Sequence, residues 1–229
     1  CFCFDKNKKC NRMRVYKGIL VLVFTAVVLA VLGFSNKQRL IETTNYQQQK
    51  GIEVAYFASG CFWCVESIFE SVRGVEEAVS GYAGGHTTNP TYSSIGTGKT
   101  GHSESVAVYY NPKVISFKTL VDVYYGSHNP TTVNGQKPDF GSQYRSIAFY
   151  KTTAEKKIID SAIAKLNKEK YNGKIATEVV QFKKFYKAEE YHQDFERRNP
   201  NQGYVKAVSV PRLNKFKSKF PELLKDEKH

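Results

Sequence analysis

Between residues 54 and 72 a strand-like run becomes a helical one through Gly60-Cys61-Phe62-Trp63-Cys64-Val65-Glu66, a turn that holds the last two cysteines of the chain and its sole tryptophan. Residues 54–58 read as a β-strand, whereas Val65, Ile68, Phe69 and Val72 recur at the spacing of one helical face. Cys61 therefore falls at the start of a helix, where unpaired N–H groups and the positive dipole end stabilise an anion. The expectation is a thiol that ionises below its free pKa of about 8.5. Cys64, one turn on, shares that side of the helix, so attack by Cys61 followed by disulfide closure is sterically natural.

Two other readings compete. Free cysteine is commonly a small buried hydrophobe, but the glycine turn, the helix start and the i, i+3 spacing argue for chemistry. Structural zinc requires four ligands, and His86, His102, His128, His192 and His229 lie far apart with no second pair at ligand spacing. No metal and no cofactor is expected.

Residues 18–34 are apolar apart from Thr25, and the stretch before them is basic, the order of an export signal. If translation begins at Met13, the chain's only methionine, then Cys1, Cys3 and Cys10 have no part in the fold. The segment is either a cleaved signal peptide or a retained membrane anchor, and both imply a periplasmic or other extracytoplasmic enzyme. Nothing between residues 53 and 200 resembles a linker. The expected organisation is a basic N-terminal segment over 1–50, a catalytic domain over 51–200 and a basic tail over 201–229. Eight of the 34 basic residues and one of the 21 acidic ones lie in the first 40, which leaves a net charge of +6 on the remainder. With no helix-turn-helix, finger or stacking motif beside it, such a charge describes a solvated surface and not a nucleic-acid site.

Strand patterns recur at residues 53–58, 75–81, 104–110, 146–150 and 177–181. Helical patterns cover 61–72, 116–125, 153–170 with Thr153 as its cap, and 188–198. This order predicts an α+β fold, a two-layer ferredoxin-like α/β sandwich with a mixed sheet of the split βαβ kind. The loops between are rich in Gly, Asn, Pro, His and Tyr. Tyrosines and a carboxylate at loop ends beside a reactive thiol point to a pocket.

Taken together, the cysteine motif, Gly81-Tyr82-x-Gly84-Gly85, Asn89-Pro90-Thr91-Tyr92, Thr100-Gly101-His102-x-Glu104 and Asp139-x-Gly141-x-Gln143-Tyr144-Arg145-Ser146 resemble the A-type peptide methionine sulfoxide reductases, from about residue 54 to 199. The resemblance implies reduction of the S epimer of methionine sulfoxide, free or in proteins, by an enzyme of oxidative-damage repair. It implies Cys61 as the nucleophile, Glu104 as the proton donor to the sulfoxide oxygen, and Tyr92 and Tyr144 as hydrogen-bond donors to that oxygen. Phe62 and Trp63 would receive the methyl group, Asp139 would place the polar end of the pocket, and Cys64 would resolve the intermediate. Because no cysteine follows Cys64, relatives with a resolving cysteine in the C-terminal tail differ from this chain. A Cys61–Cys64 disulfide reduced by thioredoxin or a thioredoxin-like donor is implied, in a monomer.

Two rivals remain open at this level. A C-x-x-C motif beside an α/β pattern also fits a thioredoxin-like disulfide oxidoreductase, although such an enzyme does not require the Phe-Trp dipeptide or the tyrosine-rich loops. A membrane-tethered methionine-binding protein would use the cysteines structurally.

Overall fold

The computed structural model describes residues 51–226. The apolar segment expected to direct export, with Cys1, Cys3 and Cys10, lies outside the described residues. Among the described residues eight strands form: β1 (Glu53–Ser59), β2 (Val75–Ala83), β3 (Ser103–Tyr110), β4 (Gly135–Gln136), β5 (Asp139–Phe140), β6 (Ser146–Tyr150), β7 (Glu178–Gln181) and β8 (Phe185–Lys187). The α-helices are α1 (Phe62–Glu70), α2 (Tyr92–Gly96), α3 (Phe117–Gly126), α4 (Thr153–Leu166), α5 (Phe195–Arg198) and α6 (Val210–Lys219). All five strands expected from the sequence pattern are present, within two residues at each end.

One mixed sheet runs in the order β7-β6-β1-β3-β2-β8, and β4 and β5 pair separately as a hairpin. β3 lies between β1 and β2 and antiparallel to both, so the strands that flank α1 run parallel to one another with a strand between them. β1 in turn separates β3 from β6, which are linked through α3. Only β6 and β7 pair in parallel. The class is α+β, as the element order predicts.

Period-two alternation divides the sheet into two faces. Ala55 and Phe57 of β1, Val106, Val108 and Tyr110 of β3, and Ala148 of β6 face the helices, where they meet Val65, Ile68 and Phe69 of α1, Leu120 and Tyr124 of α3, and Ile159 of α4. Full burial of each of the three α1 side chains contributes roughly 1.5–3 kcal/mol, enough to hold the helix start against the sheet. The opposite face, with Tyr56, Ile147 and Phe149, is covered by the β7–β8 connection. There Phe182 stacks on Tyr56 with ring centroids 3.7 Å apart. Among the described residues no helix is long and apolar enough to cross a membrane.

Three helical expectations change in detail. Thr152, not Thr153, caps α4, in a reciprocal capping box with Glu155. That helix stops at Leu166 and its continuation widens into a π-turn over Asn167–Tyr171, closed by left-handed Asn172. The helix expected over 188–198 is only a 3-10 turn at Glu190–His192 followed by the single turn of α5. Extended Gln193 and left-handed Asp194 separate them, because the Gln193 amide acts as a false strand: it accepts from the Ser80 N–H and donates to the Ser80 and Ala188 carbonyls. Beyond residue 200, where a tail was expected, the chain is helical from Val205 to Lys219. This last helix lays Val205, Ser209, Leu213 and Phe216 against the core side of α1.

Candidate active site

Gly60 makes the turn between β1 and α1. Its φ of +88° lies in the left-handed region, and a Cβ there would stand 2.7 Å from Gln136 Cβ, so only glycine fits. Cys61 is the N-cap of α1 with no side-chain cap bond. The helix start is met instead by Glu104, whose Oε2 accepts the Phe62 N–H at 2.9 Å. Glu104 continues the inward row of Val106, Val108 and Tyr110 on β3, a position ordinarily apolar, and is 2% exposed. Burial pushes its carboxyl up to about 8; the Phe62 N–H opposes this, and the charges of Asp139 and Cys64 add to it. A neutral acid therefore sits at the head of α1 at neutral pH.

Each of the loop motifs has an internal reason. In Asn89-Pro90-Thr91-Tyr92, Thr91 caps α2 through a capping box with Ser94 and delivers Tyr92 as the first helical residue. Glu189 fixes Tyr92 from the other side, accepting its N–H at 3.0 Å and the Tyr82 hydroxyl at 2.6 Å. His102 braces the glycine loop, accepting the Gly85 N–H at 3.2 Å while its other ring nitrogen bonds the Thr87 carbonyl at 2.9 Å. Arg145 ties the 3-10 turn carrying Tyr144 to the start of β3, donating to the Ser142 and Gly101 carbonyls at 2.9 Å each. Asp139 is presented by the β4–β5 hairpin, and its Oδ2 accepts the Tyr204 hydroxyl at 2.5 Å.

Cys61, Phe62, Trp63, Tyr92, Glu104, Asp139 and Tyr144 line one cavity of about 190 Å³, completed by Gln202 and Tyr204. Seven of the eight residues expected at the site thus converge. The eighth, Cys64, lies behind the cavity wall, 1% exposed, with its sulfur 3.2 Å from the Ser209 hydroxyl. Tyr92 and Tyr144 face the same cavity, and burial raises both phenols, so both stay protonated donors. Trp63 is clamped between Phe195, stacked at 3.7 Å, and the edge of Tyr204, with its indole N–H donating to His192 Nδ1 at 3.2 Å.

The two sulfurs differ from expectation. Both cysteines are free. Burial, the hydrogen bond to Cys64 and the Glu104 charge push the Cys61 thiol up, against only the Tyr204 hydroxyl that lowers it. The low pKa belongs to Cys64, brought down to about 6 by its hydrogen bond with Cys61, the Arg212 guanidinium and Ser209. Cys64 is thus the more acidic of the two sulfurs. The helix N-terminus does not ionise Cys61, because desolvation outweighs it.

A family model described as peptide methionine sulfoxide reductase matches residues 53–224. The chain belongs to the peptide methionine sulfoxide reductase MsrA family. It is 41% identical over 174 residues to a peptide methionine sulfoxide reductase MsrA of Polynucleobacter asymbioticus, which covers 76% of this chain and 92% of that one. An MsrA of Sulfolobus acidocaldarius is 44% identical over 171 residues, or 75% of this chain and 97% of the relative. The crystal structure of Mxr1 from Saccharomyces cerevisiae in reduced form superimposes with a TM-score of 0.64 at 34% identity, covering 68% of this chain and 90% of the other. As an MsrA, the enzyme is a peptide-methionine (S)-S-oxide reductase.

Tyr204, Gln202, Ser209 and Arg212 of this MsrA escape a reading of motifs, because lysines dominate the segment that carries them. The signal that would have found them is the helical spacing of Val205, Ser209, Leu213 and Phe216. Arg212 donates to the Ser59 and Ser127 carbonyls at 3.0 Å each, and so fastens the last helix to the strand end just before Gly60.

Proposed function

We propose that Cys61 attacks the sulfoxide sulfur while Glu104 gives its proton to the departing oxygen. The observation that carries this is the convergence of the Cys61 thiol, a neutral Glu104 and two phenol donors on one small cavity with an aromatic wall. As attack begins, the Cys61 proton passes to the Cys64 thiolate beside it. A sulfoxide oxygen leaves poorly unless protonated. Tyr92 and Tyr144 stabilise the charge that develops on it, each donor worth about 2.7–4 kcal/mol by analogy with oxyanion holes. The S–CH3 group rests against Phe62 and Trp63, and the hydrogen-bonded Asp139–Tyr204 pair bounds the polar end. The oxygen passes from the methionine sulfur to Cys61: the methionine S–O bond breaks as a Cys61 S–O bond forms, so the sulfoxide leaves as methionine, two electrons reduced, and Cys61 becomes a sulfenic acid, oxidised by the same two. Cys64 then attacks that sulfur, water leaves, and a Cys61–Cys64 disulfide forms, which an external dithiol reduces.

The discriminating experiment is dithiothreitol-driven reduction of each methionine sulfoxide epimer. The S epimer alone is expected to react; insulin reduction without sulfoxide reduction would point to a disulfide oxidoreductase instead. Thioredoxin or a thioredoxin-like protein is the proposed physiological donor, since a vicinal disulfide calls for a dithiol. Export remains our reading of residues 18–34, and the split βαβ pairs around β1 and β3 support a ferredoxin-like description of the scaffold.

The Trp63–His192 bond adds a prediction about the methyl wall. His192 is 1% exposed, and burial pulls it down to about 4, so it stays neutral and keeps Nδ1 as an acceptor through the working pH range. His192→Phe is expected to raise KM for methionine sulfoxide about 5-fold, the worth of one lost hydrogen bond, with a smaller change in kcat. His192→Asn, which can restore the acceptor, should recover most of that loss. Equal KM values in all three proteins would remove the bond from substrate binding.

A further inference from the structure

We propose that a basic groove beside the sulfoxide cavity receives acidic residues flanking an oxidised methionine in a protein substrate. The inference rests on the sulfoxide reductase reading and names the class of substrate that it favours. The groove has a volume of about 650 Å³, and its cations are Lys137, Lys170, Arg212, Lys215 and Lys219. The one carboxylate in its lining is Asp139, already engaged by the Tyr204 hydroxyl. Arg212 donates to backbone carbonyls and its charge acts on Cys64, Asp139 and Glu196, whereas Lys170 and Lys219 lie over the rings of Tyr171 and Phe220 and pair with no acid among the described residues. Crowding of like charges is sensed within the groove: burial and the neighbouring Lys170 and Lys215 pull the Lys219 ammonium down.

Position decides what such a surface can serve. Asp139 and Tyr204 line both the groove and the sulfoxide cavity, and form the wall between them. A cavity of about 190 Å³ accommodates a methyl sulfoxide side chain but not its neighbours in sequence. The substrate backbone must therefore continue outside, and on the Asp139–Tyr204 side it enters a field of five cations. Opposite charge there steers encounter and fixes the direction of the bound segment. Carboxylates within a few residues of the sulfoxide are the complementary groups.

The test uses the full chain and peptides with a central methionine S-sulfoxide flanked by Asp, Asn or Lys, reduced with dithiothreitol so that no protein reductant is present. The Asp peptide is expected to exceed the Lys peptide by about tenfold in kcat/KM at about 0.02 M salt, mainly through KM, and the ratio should collapse near about 0.5 M salt. In Lys170→Glu/Lys215→Glu the ratio should fall to about one or invert, and in Lys170→Gln/Lys215→Gln it should fall part-way. Because each protein is compared with itself, a general loss of activity does not mimic the result. Equal rates for the three peptides in the parent, or a ratio that survives both double substitutions, would overturn the proposal. So would a charge effect that emerges only when thioredoxin replaces dithiothreitol, since the groove would then be a reductant site. If the parent fails to reduce free methionine S-sulfoxide at all, the catalytic reading itself has failed; reduction without charge preference removes the groove alone.

Discussion

Cys61→Ser is expected to abolish reduction of methionine sulfoxide, whereas Cys64→Ser should still release about one methionine per enzyme and then stop when thioredoxin is the reductant. The asymmetry follows from where the two sulfurs lie. Cys61 lines the cavity at the helix cap, and Cys64 sits behind the wall against Ser209 and Arg212. Only the first can meet the substrate, and only the second is placed to close on the sulfenic acid. The structure adds that the first turnover of Cys64→Ser should also be slower than the parent's, because the thiolate that accepts the Cys61 proton is gone. Rapid quenching of single turnovers, with counting of methionine released, measures both effects. Repeated turnover of Cys64→Ser with thioredoxin would break this division of labour, and a single turnover as fast as the parent's would remove Cys64 from proton transfer.

How much of this was legible in the chain depends on whether a residue's position is fixed locally. The Gly60-Cys61 elbow, the Thr91 cap before Tyr92 and the inward row of β3 are encoded within a few residues, so the strand-to-helix turn and seven of the cavity residues could be read in advance. Tyr204 and Arg212 reach the site only through tertiary docking of the last helix across more than 140 residues from Cys61, and the lysines on its outer face hide the apolar spacing beneath. The fate of residues 188–198 was illegible for a related reason. Their pattern is helical, but the Gln193 side chain is worth more as a partner for the edge of β2 than as one more helical residue. The ionisation of the thiol pair turns on burial, which no local pattern records: a helix start argues for a low Cys61 pKa, and desolvation by the closed pocket reverses it.

Glu104→Gln is expected to slow the chemical step by about a hundredfold or more, the scale of general acid catalysis. The amide keeps the shape and can still accept the Phe62 N–H, but it has no proton to give to the oxygen. With the carboxyl raised to about 8 and Cys64 lowered to about 6, the parent's single-turnover rate should rise with pH through about 6, as the pair gains its charge, and fall above about 8, as Glu104 loses its proton. The Gln variant should lose the alkaline fall while keeping the acid limb. Stability supplies the control. A carboxyl whose folded pKa exceeds its ordinary 4.5 binds its proton more tightly folded than unfolded, so its contribution to stability declines as pH rises from about 4.5 to about 8 and stays low above. Removing that charge means that Glu104→Gln should melt no lower than the parent at alkaline pH, even as its rate collapses. An unchanged single-turnover rate would take Glu104 out of the mechanism; a lower rate matched by a lower melting temperature at every pH would make it a structural residue.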